Sequence, residues 1–373
     1  MTPEKTLMGE VNADRGSKRR DPALDTFKGI LIALVVFGHA FYGYRSIEPV
    51  GMLVQTIYVF HMPAFIFVSG YFSKVEGNVV RGVAQLAVTY ILFNSALMWF
   101  CLTVLGTKPS MLTPYYSTWY LLALIWWRLS LPFLFRFRPV LVVSVVVALA
   151  VGFSADIDNR LALARTIAFY PFFIAGFLFS QRVNASAEHR RRVPQLAGII
   201  VLVAGIALCA WCVDALNITM NDELMVAYKG NLANDLVRRI ALMACAAIVI
   251  AGLWTAMPRR PVPLLTTWGR NSLTIYFFHR FVSLGVLQLL PAASFSAVTV
   301  AVAIATSVLV LVVFSSNRVN RIYRSVLAKI CAQFERGTQD GGEARFKRGG
   351  QVLLGLLIAM WIVAMVIRGM MLS

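Results

Sequence analysis

The chain has 373 residues, 59% hydrophobic and only 14% charged, with 35 Lys and Arg against 17 Asp and Glu for a net charge of +18. Soluble domains carry about a quarter charged residues. This composition and a mean hydropathy of +0.72 therefore exclude an ordinary soluble protein and predict an integral membrane protein. The positive charge is scattered through short loops between apolar runs, which argues against nucleic-acid binding.

Residues 1–21 are polar and end in "RGSKRR", with no apolar core before a small-residue cleavage site. They are expected to be a retained, disordered, basic cytoplasmic N-terminus. With roughly 20 apolar residues per crossing, the rest predicts an all-α polytopic membrane protein of about 10–11 transmembrane helices. The spans fall near 28–45, 51–72, 84–105, 117–135, 138–153, 164–181, 195–213, 236–256, 271–290, 294–315 and 350–370. Helices are the spanning structure that satisfies its own backbone in lipid, and the runs lack the strict alternation of a β-barrel.

Sidedness follows from the basic residues. With the N-terminus inside, 24 of the 35 Lys and Arg fall on the cytoplasmic side and eight outside, the remaining three lying in or at the edge of spans. That bias predicts a cytoplasmic N-terminus. In "NRVNRIYRSVLAKICAQFERG", within residues 317–349, apolar residues at helical spacing alternate with arginines, as in an amphipathic helix lying on the inner surface. The cytoplasmic charge suits anionic headgroups, and equally a phosphate-bearing ligand such as a nucleotide or coenzyme A. The five cysteines read as small buried residues, and Cys209/Cys212 lack the second pair that would mark a metal site.

Ionisable groups inside apolar spans are costly and point to function. The stretch "FKGILIALVVFGHAFYG" carries Lys28 and, eleven residues on, His39. At ~100° and ~1.5 Å per residue the two lie within ~20° on one helix face and ~16 Å apart, with Asp25 within ~40° of that face. For Lys28 alone, snorkelling to the interface is an equal reading. The second span, "YVFHMPAFIFVSGYF", adds His61 before Met62-Pro63, which should bend the helix, and Ser69-Gly70 toward the inner end. The ninth, "WGRNSLTIYFFHRF", adds His279 and Arg280, with Ser272 and His279 on one face and Tyr276 one turn before Arg280. Three of the four histidines are thus intramembrane; His189 lies in a basic loop and reads as solvated. Such a histidine suits general-base work on a hydroxyl. No two share metal-ligand spacing, and no metal is expected.

Four of these stretches together resemble the membrane-bound acyltransferase 3 family, multi-span O-acetyltransferases of surface glycans. They are "DTFKGILIALVVFGH", "FHMPAFIFVSGYF", "STWYLLAL" and "GRNSLTIYFFH", in family order over about residues 21–316. The Lys at position 28, where many members carry Arg, resembles the fucose 4-O-acetylase and exopolysaccharide branch. "RGVAQ" departs from the family's Arg-x-x-Arg by keeping Arg81 alone. The resemblance implies a ten-helix acyltransferase core at 22–316, followed by the basic amphipathic segment 317–349 and an additional C-terminal helix at 350–373.

The activity implied is transfer of an acetyl group from cytoplasmic acetyl-CoA to a sugar hydroxyl of an exopolysaccharide, a lipid-linked oligosaccharide or another surface glycan, in the bacterial inner membrane. His39 would be the base or acyl relay, with His61 and Asp25 beside it. Lys28, Arg81, Ser69 and Arg270 would meet the donor. Trp119, Tyr120, Asn271, Tyr276 and His279 would meet the acceptor, although Trp119 and Tyr120 also fit an aromatic belt. Membrane lipids and other polysaccharide assembly proteins are the further partners expected. The competing readings are a transporter of sugars or lipid-linked glycans with a histidine proton relay and a non-catalytic assembly component. The first would call for paired broken helices in two halves, which the sequence does not display.

Overall fold

The structure is a computed structural model and describes residues 22–75, 79–110, 112–134, 136–154, 157, 159–182, 194–218, 231–258, 260–289 and 297–334, with scattered positions between 358 and 370. The expected N-terminal tail, the end of the 317–349 segment and most of the span at 350–370 lie outside the described residues.

Every element is helical, with no strand among the described residues. They are α1 Pro22–Phe41, α2 Glu48–Tyr71, α3 Val79–Leu105, α4 Trp119–Leu134, α5 Val140–Ala150 and α6 Leu163–Arg182. Then follow α7 Gln195–Ala215, α8 Leu232–Ala256, α9 Pro263–Arg270, α10 Ser272–Leu289, α11 Ala297–Ser315 and α12 Asn317–Phe334. Among the described residues seven helices are long and apolar enough to cross a bilayer, and Val140–Phe153 and Ser272–Leu287 are shorter apolar helices. The chain is an all-α polytopic membrane protein, as the hydropathy predicts.

Helices α1 and α2 form the centre. The first packs on α2, α9, α10 and α11, and the second on α6, α7 and α8. Phe27, Leu31, Ile32, Ile66, Trp127 and Phe173 are fully buried in the core, while Val142, Val146, Leu196, Val203, Trp211 and Val312 stay exposed. An apolar exterior is what a lipid solvent permits, so interhelical packing here depends on close backbone approach. At the α2/α6 crossing, a Cβ on Gly70 would stand 2.0 Å from the Phe173 carbonyl oxygen and one on Gly176 1.9 Å from that of Phe67. At the α1/α9 crossing, Gly29 and Gly269 do the same, the latter 1.7 Å from the Asp25 oxygen.

Two details depart from the expected elements. Helix α1 begins at Pro22, a residue well tolerated in a first turn, so Asp25 and Lys28 both lie within regular helix. Pro263–Arg270, expected as loop and edge of span, is a separate helix broken from α10 at Asn271. The junction is held by side chains: Asn271 Nδ2 donates to the Ser315 carbonyl at 2.5 Å, and Asn320 Nδ2 donates to Asn271 Oδ1. Helix α2, by contrast, runs on through Pro63 from end to end.

Candidate functional site

The three intramembrane histidines come from three helices and converge. His39 stands two residues before the end of α1, His61 is mid-way along α2, and His279 is on α10. The rings of His39 and His279 are 4.9 Å apart, and those of His39 and His61 are 6.2 Å apart. Tyr58, one turn before His61, lies 4.6 Å from that ring and 5.6 Å from His39.

Hydrogen bonding sets the tautomers. His279 Nδ1 faces the Tyr276 carbonyl at 2.6 Å and the Ile275 carbonyl at 3.3 Å. A carbonyl only accepts, so this nitrogen carries the proton, and in the neutral ring Nε2 is then an acceptor. His39 Nδ1 lies 3.1 Å from that Nε2 and donates to it. His39 Nε2 is left with a lone pair. His61 reaches the same state separately, its Nδ1 donating to the Ile57 carbonyl at 2.9 Å. The pattern is that of a base held in one tautomer by a second polar group behind it.

His39 and His61 line a cavity of about 1040 Å³ of open space, mouth included. Tyr42, Gln55, Tyr58, Tyr116, Ser117, Trp119, Arg165, Tyr276 and Arg280 line it too. Asn94, fully buried in α3, braces the turn beside the cavity by accepting from the Tyr115 backbone N–H at 2.9 Å and from Thr118 Oγ1 at 2.7 Å. Tyr276 Oη donates to the Ser117 carbonyl, tying α10 to the same turn. Tyr116 is thereby held in left-handed backbone, φ 45°, with the Arg280 guanidinium carbon 4.5 Å from its ring centre. A bulky residue at positive φ is strained, and such strain clusters at functional sites.

The expected site residues thus separate into three groups. His39, His61, Trp119 and Tyr276 line the cavity, and His279 stands directly behind His39. Trp119 is already stacked on Phe169 at 5.4 Å, with Arg165 5.1 Å from its ring centre. Tyr120 is not one of the lining residues and pairs with Ser69 at 2.5 Å, its ring 5.6 Å from that of Tyr276. Ser69 also donates to the Phe65 carbonyl at 2.8 Å. At the opposite end of α1, Lys28 Nζ is 2.7 Å and Arg270 Nε 3.5 Å from the carboxylate of Asp25, which is buried. Asp25 is therefore a counter-ion for two cations, fourteen residues from His39 along one helix. Asn271 serves the α9/α10 junction at that same end. Arg81 lies in the first turn of α3, and its side chain lies outside the described ones.

Arg280 and Arg165 line the cavity and Asn94 braces the turn beside it, and none of the three carries a site role in the reading of the sequence, although Arg280 stands out there as a charge within a span. A lone Asn within "ILFNSALMWF" and a second ionisable residue beside His279 are the signals that could have marked two of them. Among the described residues no group of three His, Cys, Asp or Glu side chains is placed to hold a metal ion.

A helical membrane bundle with paired histidines on a polar cavity is the setting of an intramembrane group-transfer enzyme, and residues 21–316 match the acyltransferase domain family. The chain belongs to that family, the membrane-bound acyltransferase 3 proteins, and is a membrane acyltransferase. Among curated proteins it is similar to nodulation protein NolL of Mesorhizobium japonicum, 24% identical over 275 residues, covering 65% of this chain and 72% of that one. It is also similar to nodulation protein NolL of Sinorhizobium fredii, 28% identical over 198 residues. That match covers 46% of this chain and about half (52%) of the relative. No solved structure matches.

Proposed function

We propose that the protein moves an acetyl group from cytoplasmic acetyl-CoA to a sugar hydroxyl of a surface glycan, an exopolysaccharide or lipid-linked oligosaccharide, in the bacterial inner membrane. In this reading 22–316 is the catalytic core, the N-terminus is cytoplasmic and the cavity opens toward the acceptor side. The observation that carries it is the His279–His39 hydrogen bond, which leaves a basic nitrogen on a polar, aromatic-lined cavity.

His39 Nε2 takes the proton of the acceptor hydroxyl as that oxygen attacks the thioester carbonyl carbon, and the proton is passed to the coenzyme A thiolate as the C–S bond breaks. The positive charge is shared with His279 through the Nδ1–H···Nε2 bond, which the Tyr276 carbonyl supports from behind. His61 offers a second lone-pair nitrogen to the same hydroxyl or to its neighbour on the sugar. Acetyl-CoA, when bound, supplies the activated acetyl thioester. Its phosphates need cations at the Lys28 end of α1, and the groups there fit in part. Arg270 is 53% exposed, whereas Lys28 is 18% exposed and closely paired with Asp25. Arg324 Nη2 donates to the Arg270 carbonyl at 3.1 Å, adding a further cation at that spot. Arg270 and Arg324 are accordingly the main donor contacts in this proposal, with Lys28 setting the charge balance around Asp25.

The test is incubation of purified protein in lipid with labelled acetyl-CoA and a panel of glycans. Label in the glycan supports the proposal. Glycan binding with neither transfer nor donor hydrolysis would support transport instead.

A further inference from the structure

We propose that the acceptor carries an anionic group, a carboxylate or a phosphate on the saccharide, and that Arg280 with Arg165 forms the subsite that receives it. The inference rests on the acetyl-transfer reading only in naming the ligand a saccharide. Arg280 is 4% exposed and its Nε and Nη1 have no hydrogen-bond partner among the described residues. Its one close contact of note is the face of Tyr116. A guanidinium is always charged and offers five donors in a planar fork. Burying it without an anion is unfavourable unless a ligand completes the site.

The rest of the cavity agrees. Its described lining holds two arginines and no carboxylate, for a formal charge of +2. Arg165, half-buried on α6, approaches from the Trp119 side, so the two cations enter from different helices. The turn that carries Tyr116 is held by Asn94 and Tyr276 with its backbone at positive φ, so the platform under Arg280 is built in place. A neutral sugar would leave the charge of Arg280 without a counter-ion among the described residues. A carboxylate or phosphate would accept bidentate donation from Arg280 and hold a neighbouring hydroxyl toward His39.

The experiment uses the full chain in nanodiscs and three probes: a neutral disaccharide, its uronic-acid counterpart, and the neutral disaccharide bearing one phosphate. Binding is measured for the wild type, Arg280→Gln, Arg280→Lys and Arg165→Gln. The wild type should bind at least one anionic probe roughly tenfold tighter than the neutral one, and which probe wins tells carboxylate from phosphate. Arg280→Gln should abolish that preference, and Arg280→Lys should retain part of it. Equal wild-type affinity for all three probes would overturn the proposal, as would a preference that survives Arg280→Gln. If Arg280→Gln does not fold, an unchanged preference in both Arg280→Lys and Arg165→Gln would overturn it as well. An Arg280→Gln protein with lower kcat on the neutral acceptor and no anion effect would assign Arg280 to charge developing in the reaction, again overturning it. Anion preference without any acetyl transfer would remove the acetyl-transfer reading and leave this one. Transfer at equal kcat/KM to neutral and anionic acceptors would do the reverse.

Discussion

A base in a membrane interior works only if its lone pair faces the substrate, and in the proposed mechanism the His279 contact, together with the Val35 carbonyl, holds His39 in that state. His279 Nε2 accepts from His39 Nδ1 at 3.1 Å, so His39 Nε2 stays free of a proton. His279→Ala should therefore leave the cavity intact and lower kcat by roughly tenfold or more, with the acceptor KM little changed. Steady-state kinetics on one acceptor check this, and an unchanged kcat would remove His279 from the site. Singly, each histidine was conspicuous in the sequence because an ionisable group in an apolar span needs a reason. Their meeting was not legible, since it depends on how α1, α2 and α10 pack. Arg280 was visible as a charge in a span, but its placement over Tyr116 follows from a turn fixed by Asn94 and Tyr276.

At the scale of elements, α1 joins two chemistries. One end holds Lys28 over the Phe72 ring at 5.2 Å and against Asp25, and the other holds His39 beside Tyr58. Phe72 follows α2 directly and Tyr58 lies within it, so the stripe expected from an eleven-residue spacing faces one partner. Lys28→Ala should raise the KM for acetyl-CoA more than Lys28→Arg does. Equal values in the three proteins would count against a part for Lys28 in donor binding. The α2/α6 crossing supplies the rigidity, with Gly70 and Gly176 against opposing carbonyls. Gly70→Ala or Gly176→Ala should each cost about 1–3 kcal/mol, read as earlier thermal unfolding in detergent. An unshifted transition would mean that the crossing relaxes freely. Hydropathy predicted the seven described helices long enough to cross a bilayer because lipid demands long apolar helices, whereas the spans expected at 117–135, 138–153 and 271–290 are met by shorter helices. It missed α9, an eight-residue helix whose arginine and leading proline look like loop and which docks closely against Gly29.

For the whole molecule, the distribution of Lys and Arg predicts which end faces the cytoplasm. All five native cysteines are buried, so an introduced thiol reports its own side. Ser46 and Arg260 are exposed at opposite ends of the bundle, after the His39 end of α1 and before α9. In intact cells an impermeant maleimide should label Ser46→Cys at once and Arg260→Cys only after permeabilisation. The reverse pattern would invert the proposed route from donor to acceptor. Such a route has to cross the bundle between the Asp25 ion pairs and the histidine cavity, two regions linked by α1, α2 and α10.

The most direct test of the account is the rate of acetyl transfer from labelled acetyl-CoA to a glycan acceptor by reconstituted wild-type and His39→Ala proteins. Loss of a positioned base should lower kcat by roughly 10²–10⁴-fold, with the variant's thermal unfolding unchanged. Transfer by folded His39→Ala at the wild-type rate would contradict it.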